Sequence, residues 1–211
     1  MTPTSAERGH ETRERLLDAA AQLIVEDGWG AVTTRRVADR AGLRAGLVHY
    51  HFRTVTELLI EASLASARRE LNAAVEALSH ADDPAEGITE VLEMLSAYSS
   101  SDPATVLFSE MLLASTRLEQ LRSELSVLLA EWRTTVTDWL RAANASHAMD
   151  SSQPPGHGRA DDAGDLEGTA VLLGAALDGL VLHRLIDPSL AGISVTQPLA
   201  RLVGAPQPRK S

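Results

Sequence analysis

The chain contains no cysteine. Disulfides, thiolate zinc sites, iron–sulfur clusters and cysteine nucleophiles are therefore excluded, and a reducing compartment costs the protein nothing. Aromatic residues are scarce: Trp29, Tyr50, Phe52, Tyr98, Phe108, Trp132 and Trp139 are the whole set in 211 residues. Aliphatic side chains must then supply most of the buried surface, a composition that favours helix over sheet. The first twenty residues carry charges throughout, and no later stretch reaches the roughly 18 unbroken apolar residues that a membrane span requires. The expectation is a cytoplasmic protein with no membrane partner, long enough to bury a substantial core.

The formal net charge is -10, which as an average opposes a polyanionic partner. That average conceals a partition. Residues 1–60 hold eight arginines and eight carboxylates, so the entire net charge lies in residues 61–211, with 11 basic and 21 acidic side chains. Residues 33–53 carry Arg35, Arg36, Arg40, Arg44 and Arg53 against Asp39 alone, a local balance of +4.

The pattern along the chain is helical, with no internal repeat and no strand signal. Leu16, Leu17, Ala20, Leu23 and Ile24 share one face of a helix from about His10 to Asp27, which Gly28 and Gly30 end. Thr33 caps a short helix through Ala41 that buries Val37, Ala38 and Ala41, and Gly42 ends it by accepting a left-handed conformation. The next helix runs from Arg44 to about His51. Three helices in some 45 residues, the last two joined by a tight glycine turn, outline a helix-turn-helix. Thr54 to Glu57 reads as a capping box for a long helix to about Leu78. Asp83-Pro84 and Asp102-Pro103 each signal a further start, for helices at 84–99 and 103–116. Leu118, Leu121, Leu125, Leu128, Trp132 and Trp139 form a seam on a helix to about Ala145. Residues 146–164, rich in proline, glycine and charge, are expected to be a mobile loop. A last long helix spans about Asp165 to Asp187 and is stopped by Pro188, with a shorter segment at 196–203 and a frayed tail behind it.

The chemistry lies in Thr33 to Leu59, T-T-R-R-V-A-D-R-A-G-L-R-A-G-L-V-H-Y-H-F-R-T-V-T-E-L-L. Val48 and Phe52 anchor the third helix, which leaves Arg44, Ala45, Leu47, His49 and His51 outward. Small residues at its start, Ala45 and Gly46, allow close approach to a surface, and flanking Arg and His can reach phosphates. A helix about 10–12 Å across fits a major groove about 12 Å wide. Here the chain resembles the TetR family of bacterial transcription regulators, on L-L-D-A-A-A-Q-L-I, T-T-R-R-V-A-D-R-A-G-L, G-L-V-H-Y-H-F and E-L-L in family order and spacing over residues 10–60. Beyond that the likeness is architectural.

The resemblance implies an all-α fold: an N-terminal three-helix helix-turn-helix domain (1–53), a C-terminal helical ligand-binding and dimerisation domain (54–205) and a tail (206–211). The implied partners are a double-stranded DNA operator, a small-molecule effector and a second copy of the chain, with no cofactor, no metal and no catalysis. Carried over by position, Thr34 and Arg35 would touch the groove or phosphates, with Arg36 and Arg53 as further arginines on which DNA affinity leans. Arg44, Ala45, Gly46 and Leu47 would face base edges, and His49 and His51 would lie on the backbone. Two departures stand out: the family commonly has tyrosine where this chain has His49, and lysine where it has Val55. Both remove a usual phosphate contact and shift weight to the arginines.

Arg40 pairs either with Asp39 or with a first-helix carboxylate instead of DNA. His49 and His51, two apart on a helix, diverge too far for a shared metal. Met94, Tyr98, Phe108, Met111, Trp132 and Trp139 are candidates for an effector cavity but equally for core, and the two tryptophans for a dimer seam. His183, with Asp178 and Asp187 nearby in sequence, either orients a ligand or is an ordinary core or interface histidine. The helices at 118–145 and 165–187 are expected to pair with their symmetry mates, with Gly174, Ala175 and Gly179 permitting close approach. The competing function is a helical carrier or enzyme, or an adaptor, whose N-terminal helices are merely structural.

Overall fold

The computed structural model describes residues 4–80, 102–150 and 162–195, together with residues 87, 89–91, 93, 94 and 198. The labelled helices are α1 (Ser5–Asp27), α2 (Thr34–Ala41), α3 (Ala45–His51), α4 (Val55–His80), α5 (Pro103–Ser115), α6 (Glu119–Asp150) and α7 (Asp162–Ile186), with 3₁₀ turns at Trp29–Ala31 and Pro188–Gly192. No strand occurs among the described residues, and the fold is all-α. The chain forms two compact units, Met1–Arg69 with Ser101–Leu125, and Glu70–Ser100 with Ser126–Ser211.

In the first unit α1 starts five residues earlier than its apolar face suggests. Thr4 accepts from the Glu7 amide at 3.2 Å while the Glu7 carboxylate accepts from the Thr4 amide, a reciprocal cap. The core is aliphatic: Leu16, Ala20, Leu23 and Ile24 of α1 meet Val37 and Ala38 of α2, Val48 of α3, and Phe52, with Leu58 of α4 and Leu107 of α5 also in the cluster. Thr33 caps α2 through the Arg36 amide at 3.4 Å. The α2–α3 turn is a Schellman motif, with the Leu43 amide donating to the Ala38 carbonyl at 2.9 Å and Gly42 to Asp39 at 3.2 Å, and Gly42 at φ +65°. Arg15 reaches across from α1 and donates to the Ala41 carbonyl at 2.6 Å, placing a cation at the negative end of α2.

Two further contacts brace this unit. Arg13 pairs with Glu61 of α4 and lies over the Phe52 ring, 4.9 Å from its centroid. Glu110 of α5 accepts from the Trp29 amide at 2.8 Å, satisfying the turn that follows α1, where Gly28 sits at φ +81°. The cap of α4 differs slightly from a simple capping box. Thr54 accepts from the Glu57 amide at 3.0 Å, but the Glu57 carboxylate reaches back to the Arg53 amide at 2.8 Å.

In the second unit Ala74 and Leu78 of α4, Val136 and Leu140 of α6, and Ala170, Leu173 and Leu177 of α7 form a second cluster with Val91. Met94, Trp132, Trp139 and Leu166 pack against it. The Trp139 indole donates to the Leu78 carbonyl at 2.9 Å. A Cβ on Gly174 would stand 2.9 Å from Cζ3 of Trp132, so the absent side chain is what lets that ring lie against α7. This corrects the expected use of Gly174 in a dimer seam: its open face is filled within the chain. Asp178, one turn further on, is half-buried, and desolvation raises its carboxyl to about 6.

The loop expected at 146–164 is shorter than the composition implied. α6 continues to Asp150 and α7 begins at Asp162, because no glycine or proline occurs between Ser146 and Asp150 to stop the helix. Residues 151–161, the Asp83-Pro84 start, Tyr98, most of 84–99, the tail, and all of 196–203 except residue 198 lie outside the described residues.

Two stability experiments follow. Gly42→Ala forces a Cβ into the left-handed region 3.5 Å from the Arg15 guanidinium and should lower unfolding stability by about 1–2 kcal/mol, read by urea denaturation. Asp178 titrates above its ordinary value of 3.8, so the folded state binds the proton more tightly and loses stability as pH rises from 4 through 6. Asp178→Asn should therefore be near-neutral at pH 4 and stabilising at pH 7.5 by about 1–2 kcal/mol after allowance for solvent screening. Equal effects at both pH values would contradict the assignment.

Candidate nucleic-acid interface

The third helix is held from one side only. Val48 and Phe52, each 1% exposed, are its anchors, and the Phe52 amide closes it on the Val48 carbonyl at 2.8 Å. Every residue between and before them is thereby turned outward to some degree. Arg44, Ala45, Gly46 and His49 are exposed, and Leu47 and His51 half-buried. A Cβ on Gly46 would meet nothing within 4 Å, so the start of α3 presents open, low-relief backbone. On α2, Thr34 is half-buried and Arg35 and Arg36 are exposed.

The arginines divide by what they already hold. Arg36 pairs with Asp27 and donates to the Ala31 carbonyl at 3.2 Å. Arg40 pairs with Glu26, with a second bond to Gln22 at 3.3 Å. The Arg40 hydrogen bonds hold the Glu26 carboxyl below its ordinary value, and those bonds likewise raise Arg40. This settles the partner of Arg40 as a carboxylate of α1. Arg35 makes only a 3.8 Å contact with Asp39, with nearly all of its side chain in solvent. Among the described residues Arg44 and Arg53 are in no ion pair. Of the five arginines in residues 33–53, Arg35, Arg44 and Arg53 therefore have most freedom to meet an external anion.

Sequence reasoning passed over Tyr50. It is 80% exposed and stands edge-on to the His51 ring at 5.0 Å between centroids. The signal was available: with Val48 and Phe52 inward at a spacing of four, position 50 must face away from the core, and a large exposed aromatic is worth noting.

The candidate effector residues fall into different units. Met94, Trp132 and Trp139 come together around the second cluster. Phe108 and Met111 belong to the first unit, where Met111 is fully buried. His183 is exposed on α7. Among the described residues no group of three or more His, Cys, Asp or Glu could hold a metal ion.

Comparison with known proteins bears on this geometry. Residues 16–62 match the family model for bacterial regulatory proteins of the tetR family. An HTH-type transcriptional regulator of Mycobacterium tuberculosis is 27% identical over 144 residues, covering 67% of this chain and 72% of that one. The fold matches that of GusR from Salmonella enterica, with a TM-score of 0.71 and 16% identity over 92% of this chain and 93% of that one. It also matches a transcriptional regulator from Saccharomonospora viridis solved in complex with choline, with a TM-score of 0.68 and 22% identity over 92% and 94%. A helix-turn-helix pinned by Val48 and Phe52, with an open third helix, thus lies within the segment that matches: residues 16–62 carry the DNA-binding domain of the tetR family of bacterial regulatory proteins, and the chain as a whole is similar to HTH-type transcriptional regulators.

Proposed function

We propose that the chain is a cytoplasmic, homodimeric repressor, without catalytic activity, that is released from a palindromic operator by a small, largely apolar effector. The observation that carries the DNA half of this reading is the outward face of α3. Arg44, Ala45, Gly46 and Leu47 face base edges, the Arg44 guanidinium also reaching a phosphate, and Thr34, Arg35, His49, His51 and Arg53 hold phosphates, with Tyr50 beside them. Arg36 adds to that face while its bond to Asp27 positions α2. Residues 1–53 act as the reader, and residues 54–205 as the effector-binding and dimerisation domain. In the second unit, Met94, Trp132 and Trp139 supply the large side chains against which an apolar effector would pack, with His183 as a weaker candidate; Phe108 and Met111 lie in the first unit, and Tyr98 lies outside the described residues. The choline-bound neighbour supports the idea that this architecture accommodates a small molecule.

Dimerisation draws support from α7. Residues Leu166–Ile186 are apolar and long enough to cross a membrane, yet only 22% of that window is buried within the chain. Leu172 and Ile186 are 69% and 81% exposed, and Val171 is also exposed. Val171, Ala175, Gly179 and Ile186 lie along one stripe opposite the buried Ala170 and Leu177. Such a stripe, with small residues at its centre, suits a second copy of itself. Two heads related by a two-fold axis would read half-sites about 34–36 Å apart, or a multiple of that spacing. The effector releases DNA only by binding the non-binding state more tightly, an equilibrium shift.

Binding to the DNA just upstream of the protein's own gene is the first measurement. The Arg35→Ala, Arg44→Ala double variant should weaken it by tenfold or more and flatten the dependence of log K on log salt by about 2; unchanged affinity and slope would remove these residues from the interface. Leu172→Arg with Ile186→Arg should leave the fold intact and give monomers in sedimentation at micromolar concentration, with operator affinity lost in parallel. A dimer that survives both substitutions would refute the α7 interface.

A further inference from the structure

Trp132 and Trp139 stand on the same helix and pack against the same aliphatic cluster, but their indole N–H groups differ. That of Trp139 is satisfied by the Leu78 carbonyl at 2.9 Å. Nε1 of Trp132 is buried and has no hydrogen-bond partner among the described residues. A buried donor without a partner is unfavourable, and native interiors seldom keep one without a reason. The direction of this donor is set by Gly174. Cζ3, Cη2 and Cε3 of Trp132 are the atoms that crowd the missing Cβ, at 2.9, 3.4 and 3.9 Å. These lie on the six-membered ring, across the indole from Nε1, so the N–H points away from Gly174.

We propose that Nε1 of Trp132 is the polar anchor of the effector site, and that the effector is a neutral carbonyl compound: a ketone, ester or amide on an apolar frame whose oxygen accepts this hydrogen bond. The inference rests on the reading of this unit as effector-binding and narrows the chemistry of what it binds. The aliphatic cluster around the indole selects the frame, and the unused donor selects an acceptor. A simple cation is excluded as the group bound there because it offers the N–H no lone pair. A carboxylate is disfavoured because Nε1 is buried and one neutral donor does not compensate the desolvation of a full negative charge.

The test uses the full chain and four probes: 2-octanone, n-octane, octanoate and octylammonium. In the wild-type protein 2-octanone should bind, and the infrared carbonyl stretch of the bound ketone should move to lower wavenumber, as a hydrogen-bonded carbonyl does. Trp132→Phe should weaken 2-octanone about tenfold, the size of one hydrogen bond to an otherwise unsatisfied donor. It should leave octane within about twofold and abolish the infrared shift. Trp139→Phe should not abolish that shift, because its N–H is engaged by Leu78. At pH 7.5 octanoate and octylammonium should bind more weakly than the ketone. No binding of 2-octanone, an unshifted carbonyl in the wild type, a shift that persists in Trp132→Phe, or a charged probe that binds as well as the ketone would each overturn the proposal. The wild-type infrared measurement stands even if the variant does not fold. Effector release is scored separately on operator DNA. Ketone binding through Trp132 without release from DNA would sink the derepression reading and leave the site, whereas release by another compound with Trp132→Phe unaffected would do the reverse.

Discussion

A seven-residue helix is too short to persist in water on its own, because nucleation costs more than so few hydrogen bonds return. α3 exists because Val48 and Phe52, one turn apart, are buried in a core already built by α1 and α2. That single constraint fixes the rest of the reading head. It decides which residues face outward, and it makes the identity of the outward ones free to vary for recognition. The Schellman turn at Gly42 and the Arg15 bond to Ala41 set the angle at which α3 leaves α2. The Arg13 guanidinium, over the Phe52 ring and paired with Glu61, ties the end of the anchor to α4. The functional surface is thus the residue of a packing problem solved on its opposite side.

Charge in the head has two duties, and burial does not distinguish them; partners do. α1 ends in Glu26 and Asp27, carboxylates at the negative end of a helix dipole and so unfavourably placed. Arg40 and Arg36 lie against them from α2 and offset that placement. These two arginines make α1 and α2 a single frame. The other three arginines of residues 33–53, Arg35, Arg44 and Arg53, have no strong acidic partner among the described residues, which is why they are the ones proposed to meet phosphate. The local excess of +4 counts both kinds alike, which overstates the charge presented outward while still pointing to the right segment.

Much of this was legible in the sequence because it depends on local spacing. The caps at Thr33 and Gly42, the anchors Val48 and Phe52, and the starts at Thr54 and Pro103 are each specified by residues within one or two turns. What sequence could not show depends on which helices cross. The Glu26 and Asp27 pairings require α1 and α2 to be side by side, and Glu110 meets Trp29 across 81 residues. The division of Phe108 and Met111 from Trp132 and Trp139 follows from the chain leaving a unit and returning to it. Gly174 was legible as a close-approach position but not as to whose ring approaches. The early start of α1 and the outward placement of Tyr50 are also local, written in Thr4-x-x-Glu7 and in the 48/52 spacing, but neither carries a signal in apolar periodicity.

α7 poses the sharpest choice between solvents. Its composition would suit lipid, and its shallow burial within the chain leaves most of its length to be covered by something. Two charges weigh against lipid and towards the proposed dimer. Arg184 is buried within the chain at 3% exposure, and Asp178 already resists ionisation where it stands. Each would cost about 2.5–3.5 kcal/mol or more at the centre of a bilayer, and a span would have to turn the Ala170, Leu173 and Leu177 face away from the core it now completes. A second protein surface asks for neither change. It needs only the stripe of Val171, Ala175, Gly179 and Ile186, leaves the inner face packed, and explains why a helix can be apolar on both sides when the chain supplies a partner for one.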